Sequence, residues 1–243
     1  MPQTATEGGA MIVILTGAGI SQESGIATFR DSGGLWEKTR IEDVATPGAF
    51  RKNPGMVYAF YNARRKQLLG PDIAPNPAHF ALARLEEKSA APVLVVTQNV
   101  DNLHERAGTQ RLLHMHGELL KSRCAACGDV RQWEQDLDAT DTCPHCGRSG
   151  CLRPHIVWFE ETPLHMDEIC EALGRCRTFV SIGTSGNVYP AAGFAREARS
   201  CGARVVELNM EPSRGAALFH DGRYGPAGKI VPAWVDEMLQ AQA

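Results

Sequence analysis

No apolar run in this 243-residue chain approaches the roughly 20 residues that cross a bilayer. The opening run, 11–15, is far too short, so no membrane partner is expected. Positive charge is not in excess either. Lys and Arg number 25 against 28 Asp and Glu, a net charge of −3, and the sequence pI is about 6.2. That balance argues against bulk attraction to nucleic acid, which needs a basic face, though it leaves room for a basic protein partner. Residues 1–10 carry neither a basic start nor an apolar segment, so they read as a flexible tail and a cytoplasmic location is expected. Internal repeats and low-complexity segments are absent. In that setting the eight cysteines read as thiols or metal ligands before disulfides. The length suits one large domain, or a large domain with a small one.

What is present is an alternation of strand-like and helix-like runs. Met11-Ile-Val-Ile-Leu-Thr16 and Pro92-Val-Leu-Val-Val-Thr97 are apolar, β-branched and of buried-strand length. Phe179-Val-Ser-Ile-Gly183 and Arg204-Val-Val-Glu-Leu-Asn209 also run from apolar to polar, and 112–120 reads as a further strand ending near His116-Gly117. Helices are expected over 54–69, 78–88, 191–201 and 232–239. This order predicts an α/β fold with a doubly wound parallel sheet. Ligands of such sheets bind beyond the carboxyl ends of the strands. Here those ends carry Gly17 and Gly19; Gln98, Asn99 and Asp101; Gly183, Thr184 and Ser185; and Asn209 and Glu211. Aligned, they form one crevice.

The turn Gly17-Ala-Gly19 follows the first strand and is expected to open a helix, an arrangement that lets a phosphate meet bare backbone N–H groups. A dehydrogenase fingerprint would place a third glycine where Gln22 stands and an acidic strand end about 20 residues on. Both are missing, which leaves a different dinucleotide site or a generic strand-to-helix turn. The Ser/Gly-rich segment 22–36 reads as a loop able to fold over a ligand. Cys124-Ala-Ala-Cys127 and Cys143-Pro-His-Cys146 form C-x2-C-x15-C-x2-C, the spacing of a tetrahedral zinc site. Four thiolates leave no open coordination position, so the metal is read as structural.

Other groups have two readings each. Thr97-Gln-Asn-Val-Asp-Asn-Leu-His104 offers amides and a carboxylate at a strand end, either as a pocket or as a helix capped by Asn99 or Asp101. His114 and His116 alternate along a strand and so face opposite ways, one for the core and one for function. Gly117 would permit close approach by a ligand. Tyr61 and Arg64, three apart on a helix, share a face. They form either a carboxylate clamp or a snorkelling arginine beside a half-buried tyrosine.

Together these stretches resemble the sirtuin family of NAD-dependent protein lysine deacylases. The resemblance is carried by Gly17-Ala-Gly-Ile-Ser21, Thr28-Phe-Arg30, Thr97-Gln-Asn-Val-Asp101, His116-Gly117, the four cysteines, Gly183-Thr-Ser185 and Asn209-Met-Glu211. They stand in the family's order and span nearly all of the chain after the tail. The resemblance implies a Rossmann-like domain (11–36, 79–121 and 153–243) and a smaller domain made of a helical insert (37–78) and a zinc-binding module (122–152). It implies NAD as co-substrate, one structural zinc ion and acylated-lysine protein substrates, with a monomer expected. Gly17, Ala18 and Gly19 would lie against the NAD phosphates, and Phe29, Arg30 and Trp36 would belong to a loop closing over the cofactor. Gln98 would contact a ribose, and Asn99 and Asp101 the nicotinamide carboxamide. Gly183 and Ser185 would approach phosphate and ribose, Asn209 and Glu211 the adenosine half, and Ala227 the adenine. Ile20, Val100, Thr184 and Met210 count with them as cofactor contacts.

His116 corresponds to the family's general base, which activates a ribose hydroxyl; the products implied are nicotinamide, O-acyl-ADP-ribose and free lysine. Tyr61 and Arg64 resemble the pair by which the class III branch recognises succinyl- and malonyl-lysine, and Ala45 matches a small residue that leaves room in that acyl pocket. Val157 and Phe159, in Pro154-His-Ile-Val-Trp-Phe159, match a strand that pairs with the substrate backbone. Relatives usually follow that phenylalanine with glycine, whereas Glu160 stands here, to crowd the substrate or to favour basic residues beside the target lysine. Two other readings use the same cofactor: mono-ADP-ribosyl transfer to protein, and a non-catalytic NAD-sensing module.

Overall fold

The computed structural model describes residues 11–26, 35–36 and 39–242. In chain order these form β1 (Met11–Thr16), β2 (Leu35–Trp36), β3 (Thr39–Arg40), α1 (Ile41–Val44), α2 (Pro47–Lys52), α3 (Pro54–Leu68), α4 (Pro77–Lys88), β4 (Val93–Thr97) and α5 (Leu103–Ala107). There follow β5 (Leu112–His114), β6 (Gly117–Cys124), β7 (Val130–Gln132), β8 (Leu152–Ile156), α6 (Met166–Arg175), β9 (Cys176–Ile182), α7 (Phe194–Ser200), β10 (Arg204–Asn209), β11 (Asp221–Tyr224) and α8 (Ala227–Gln240).

The main sheet has six strands in the order β11-β10-β9-β1-β4-β5, and every pairing is parallel. Side chains alternate across it, so its inner strands feed two cores. Ile12, Ile14, Val93, Val95, Val180 and Ile182 pack under α4 and α8 against Leu82, Leu85, Val231 and Trp234. Val13, Leu15, Leu94, Val96 and Phe179 pack under α6 and α7 against Ile169, Leu173 and Phe194. The strand order reverses between β1 and β9, the switch point at which such sheets open a crevice. Both glycine turns, after β1 and after β9, lie there.

A second unit sits beside the sheet. α1, α2 and α3 bury Val44, Val57, Phe60, Tyr61 and Leu68 against Leu119, Leu120, Ile156 and Trp158. An antiparallel sheet, β7-β6-β8, carries the cysteines and packs Trp133, Leu137 and Leu152 against Tyr58 of α3. No helix among the described residues is long and apolar enough to cross a membrane.

The structure departs from the expected elements at three places. After the glycine turn the chain makes two 3-10 turns, Ala18–Ile20 and Gln22–Ser24, instead of entering an α-helix. The run 112–120 is not one strand. It breaks at Met115-His116, so β5 ends the main sheet and β6 starts the small one. Gly117, at the break, is required by packing: its φ is 83°, and a Cβ there would collide with the His155 carbonyl oxygen. α8 begins at Ala227, with Pro232 inside it, because burial of Val231, Trp234 and Val235 outweighs one lost backbone hydrogen bond.

Candidate active site

The carboxyl ends of β1, β4, β9 and β10 are stitched backbone to backbone. Gly17 N donates to Ile182 O (3.0 Å), Gly19 N to Gly183 O (2.9 Å), Gly183 N to Leu208 O (2.9 Å) and Gln98 N to Thr16 O (2.9 Å). This contact explains the glycines. A Cβ on Gly19 would lie 2.7 Å from Gly183 Cα, and one on Gly183 2.5 Å from Ile20 N. The two turns touch without side chains between them.

Beyond these ends lies a cavity of about 930 Å³. Of the residues singled out in the sequence, Gly17, Ala18, Gly19, Gln98, Asn99, Val100, Asp101, His116, Gly183, Thr184, Ser185, Asn209, Met210 and Ala227 line it. So do Ala45, Tyr61, Arg64, Val157 and Phe159 from the second unit. Ile20 is fully buried in the core and Glu211 lies outside the lining. Phe29, Arg30 and the side chain of Trp36 lie outside the described residues.

One end of the cavity is a closed hydrogen-bond network. Asn99 Nδ2 donates to Ser21 Oγ (3.0 Å) and Gly17 O (3.3 Å), and Ser21 Oγ donates to Asp101 Oδ2 (3.0 Å). Asp101 Oδ1 accepts from Leu103 N (3.1 Å), the first N–H of α5. Neither Asn99 nor Asp101 is the N-cap that the capping reading expects; Asn102 holds that position. Burial pushes the Asp101 carboxyl up from its ordinary value, against the opposing hydrogen bonds from Leu103 and Ser21. His79 stands behind Ser21. Its Nδ1 accepts from Asn76 N (3.3 Å), which leaves Nε2–H 3.5 Å from Ser21 Oγ, and burial lowers its pKa to about 4. Asn76 also donates to Ile20 O (2.7 Å) and Ser24 Oγ (2.9 Å), holding both 3-10 turns. Asn76 and His79 escaped the sequence reading, although Asn76-Pro77 is a helix-start signal and His79 completes a capping box.

The two nearby histidines both meet backbone carbonyls. His116 Nδ1 lies 3.1 Å from Gln98 O, and His114 Nδ1 lies 3.2 Å from Asn99 O. A carbonyl only accepts, so each Nδ1 carries the hydrogen. His116 Nε2 is then an acceptor, and burial lowers its pKa. His114 Nε2 instead faces Glu105 Oε1 at 2.9 Å. Burial opposes charge on His114, but the hydrogen bond and charge of Glu105 prevail and its pKa is raised.

Tyr61 is fully buried and Arg64 is 9% exposed, so the arginine does not snorkel. Tyr61 Oη accepts from Trp158 Nε1 (3.0 Å), and burial pushes its phenol up, which keeps it protonated. Arg64 Nη1 donates to Phe60 O (3.0 Å) while the guanidinium lies 3.3 Å over the Phe60 ring. The extended segment after β8 is anchored on both sides. Val157 N donates to His116 O (2.9 Å) and Phe159 N to Ala45 O (2.9 Å), whereas Trp158 N donates to Glu161 Oε2 (2.9 Å).

The four cysteines cluster with sulfurs 3.8 Å apart in the pairs Cys124–Cys146 and Cys127–Cys143, and all within 4.8 Å. Four sulfurs at about 2.3 Å from a tetrahedral zinc are about 3.8 Å apart, so the set fits one zinc ion. His145, between two of them, is not in the cluster.

Comparison with known proteins agrees with this geometry. Residues 17–190 match the model of the Sir2 family. The chain is 57% identical over 232 residues to an NAD-dependent protein deacylase of Leishmania major, covering 94% of this chain and 96% of that one. It is 56% identical over 229 residues to an NAD-dependent protein deacylase of Salmonella typhimurium, covering 94% and 84%. A solved Sir2 homologue in complex with NAD superposes with a TM-score of 0.87 at 34% identity, covering 97% of this chain and 91% of that one. A Sir2 protein bound to acetylated peptide gives 0.80 at 27% identity, covering 94% and 93%. The glycine-floored crevice suits NAD and the cysteine cluster suits zinc; the chain belongs to the Sir2 family and is an NAD-dependent protein deacylase.

Proposed function

We propose that this deacylase removes acidic acyl groups, succinyl and malonyl, from lysine in proteins, and acetyl less efficiently, yielding nicotinamide, O-acyl-ADP-ribose and free lysine. The observation that carries the reading is the burial of Tyr61 and Arg64 in the wall of the cavity that also holds His116. A guanidinium and a phenol O–H at such a site suit the free carboxylate of a dicarboxylic acyl chain, and Ala45 leaves room for its length. A neutral acetyl group has no use for that charge.

The remaining residues fall into roles about this point. Gly17, Ala18, Gly19, Gly183, Thr184 and Ser185 would accept the phosphates and ribose of NAD on nearly bare backbone. Asn99 and Asp101 would bind the nicotinamide carboxamide, and Asn209, Met210 and Ala227 the adenosine half. NAD supplies the electrophilic ribose carbon. His116, with Nδ1–H fixed on Gln98 O, keeps the Nε2 lone pair to accept a proton from a ribose hydroxyl. The small unit, 37–78 with 122–152, would hold the acyl chain, and the segment at Val157 and Phe159 the substrate backbone. The test is nicotinamide release on acetyl-, malonyl- and succinyl-lysine versions of one peptide. Arg64→Met is expected to cut turnover of the succinyl peptide about 10- to 150-fold more than that of the acetyl peptide, the worth of one charge-assisted hydrogen bond. Equal losses on both would overturn the acyl preference.

A further inference from the structure

Two adjacent glutamates at the rim of the cavity, Glu160 and Glu161, have opposite environments. Glu161 is neutralised. Its carboxylate accepts from Arg153 at 2.6 and 3.0 Å, lies 3.5 Å from Arg123, and also accepts from Trp158 N. Glu160 is exposed and has no hydrogen bond or ion pair to any described residue. Its φ is 75°, and His165 is the only other non-glycine among the described residues with positive φ. Nothing within the described fold repays a charged side chain in a conformation that suits glycine. An unpaired carboxylate held in such a conformation on a cavity wall is available to a ligand.

The segment that carries it is rigid. The N–H groups of Val157, Trp158 and Phe159 are all engaged within the protein, so Glu160 is presented from a fixed backbone. Other charged residues lining the cavity do not compensate it. Asp101 and Arg64 are buried, Glu161 is paired, and Arg214 follows the Asn209-Met210 loop, which the proposed function gives to the cofactor. Beside Glu160, Phe159 is 46% exposed, and Tyr189, on the same cavity, is 76% exposed. An exposed ring at Phe159, next in sequence to an unpaired carboxylate, suits a lysine or arginine, whose stem packs on apolar surface while its head seeks a counter-charge.

We infer that Glu160 selects substrates with a cationic side chain within a residue or two of the acylated lysine. The inference rests on the deacylase reading above and names the peptide class that the same site prefers. The test uses zinc-loaded protein, NAD and three succinyl-lysine peptides that differ only in the residues flanking the modified lysine: Lys, Gln or Glu. Peptide affinity by fluorescence anisotropy is measured beside kcat/KM. The native protein is expected to favour Lys over Gln flanks by about 2- to 5-fold and Gln over Glu by a similar factor, with both ratios shrinking in high salt. In Glu160→Gln the ratios fall towards one, and in Glu160→Lys the order reverses. A native protein without charge preference, or a preference that Glu160→Gln leaves intact, overturns the inference. Absence of turnover on every peptide would overturn the deacylase reading instead, while the binding order would still decide the role of Glu160.

Discussion

His114 and His116 show how far one residue's surroundings set its chemistry. Both donate Nδ1–H to consecutive carbonyls, of Asn99 and Gln98, yet their second nitrogens differ. His116 works as a base only when neutral. Burial lowers its pKa, so the neutral form persists below the ordinary value of about 6.5. The acid limb of the kcat/KM profile is therefore expected below pH 6.5, and His116→Ala should lack turnover while melting like the native protein. An acid limb above pH 7 would contradict this. His114 carries the opposite sign. Its folded pKa is raised, so the stability it contributes is fully present below its unfolded value and is lost as pH rises through the folded one. Glu105 is 41% exposed, so screening keeps the effect small. Glu105→Gln is expected to cost about 1 kcal/mol at pH 6 in urea unfolding and less at pH 9; a cost that grows with pH would refute the pairing. The alternation along one strand that the sequence suggests is not what separates these histidines. They differ because the strand breaks between them, and a break at Met115 has no local signal apart from Gly117.

At the scale of elements, the glycine turns are packing surfaces first. Gly19 and Gly183 meet main chain to main chain, and neither partner is a flexible side-chain tip that moves aside. Gly19→Ala is expected to lower stability by about 1–3 kcal/mol, as overpacking does, and to weaken NAD binding, read by thermal melting with and without NAD. Gly174→Ala, in α6 with nothing within 4 Å of the added Cβ, is the control that should do neither. β1, β4, β9 and β10 were legible because a parallel strand buried on both faces is a run of apolar, β-branched residues. β11, Asp221–Tyr224, was not. It is an edge strand whose residues alternate between partly buried and exposed, and its polar composition resembles a loop. The 3-10 turns after Gly17 were hidden for a different reason: distant residues, Asn76 and Gly183, hold them. The sequence suggests too late a start for α8 because Pro232 reads as a helix start, while the burial that sustains the helix through it lies in tertiary structure.

At the scale of the whole molecule, α3 joins the acyl end of the cavity to the metal module. Tyr61 and Arg64 line the cavity. Tyr58, Asn62 and Arg65, one and two turns apart on the same helix, reach the other way. Tyr58 Oη donates to Leu152 O (2.7 Å), Asn62 exchanges two hydrogen bonds with the Leu137 backbone (3.0 Å each), and Arg65, 1% exposed, donates to Leu119 O (3.1 Å) and Gln135 O (3.3 Å). The module's own core holds few apolar side chains, and two of its buried members are the zinc-binding Cys124 and Cys143. So small a core does not hold without its metal, and zinc binding is then part of the folding free energy. The parallel sheet has separate cores on both faces, and neither contains any of the four clustered cysteines. Zinc removal by chelation, or Cys143→Ser, should therefore act unevenly. One zinc per chain is expected by metal analysis in the native protein. Its loss should split the thermal melt into an early transition and a later one, with the later one still raised by NAD. Because the partners of Tyr58, Asn62 and Arg65 melt first, succinyl turnover should fall together with acetyl turnover while NAD protection of the sheet persists. A single unsplit transition, with both activities retained after zinc loss, would show that α3 keeps its place without the module and that the link through these three side chains is not what holds the acyl pocket.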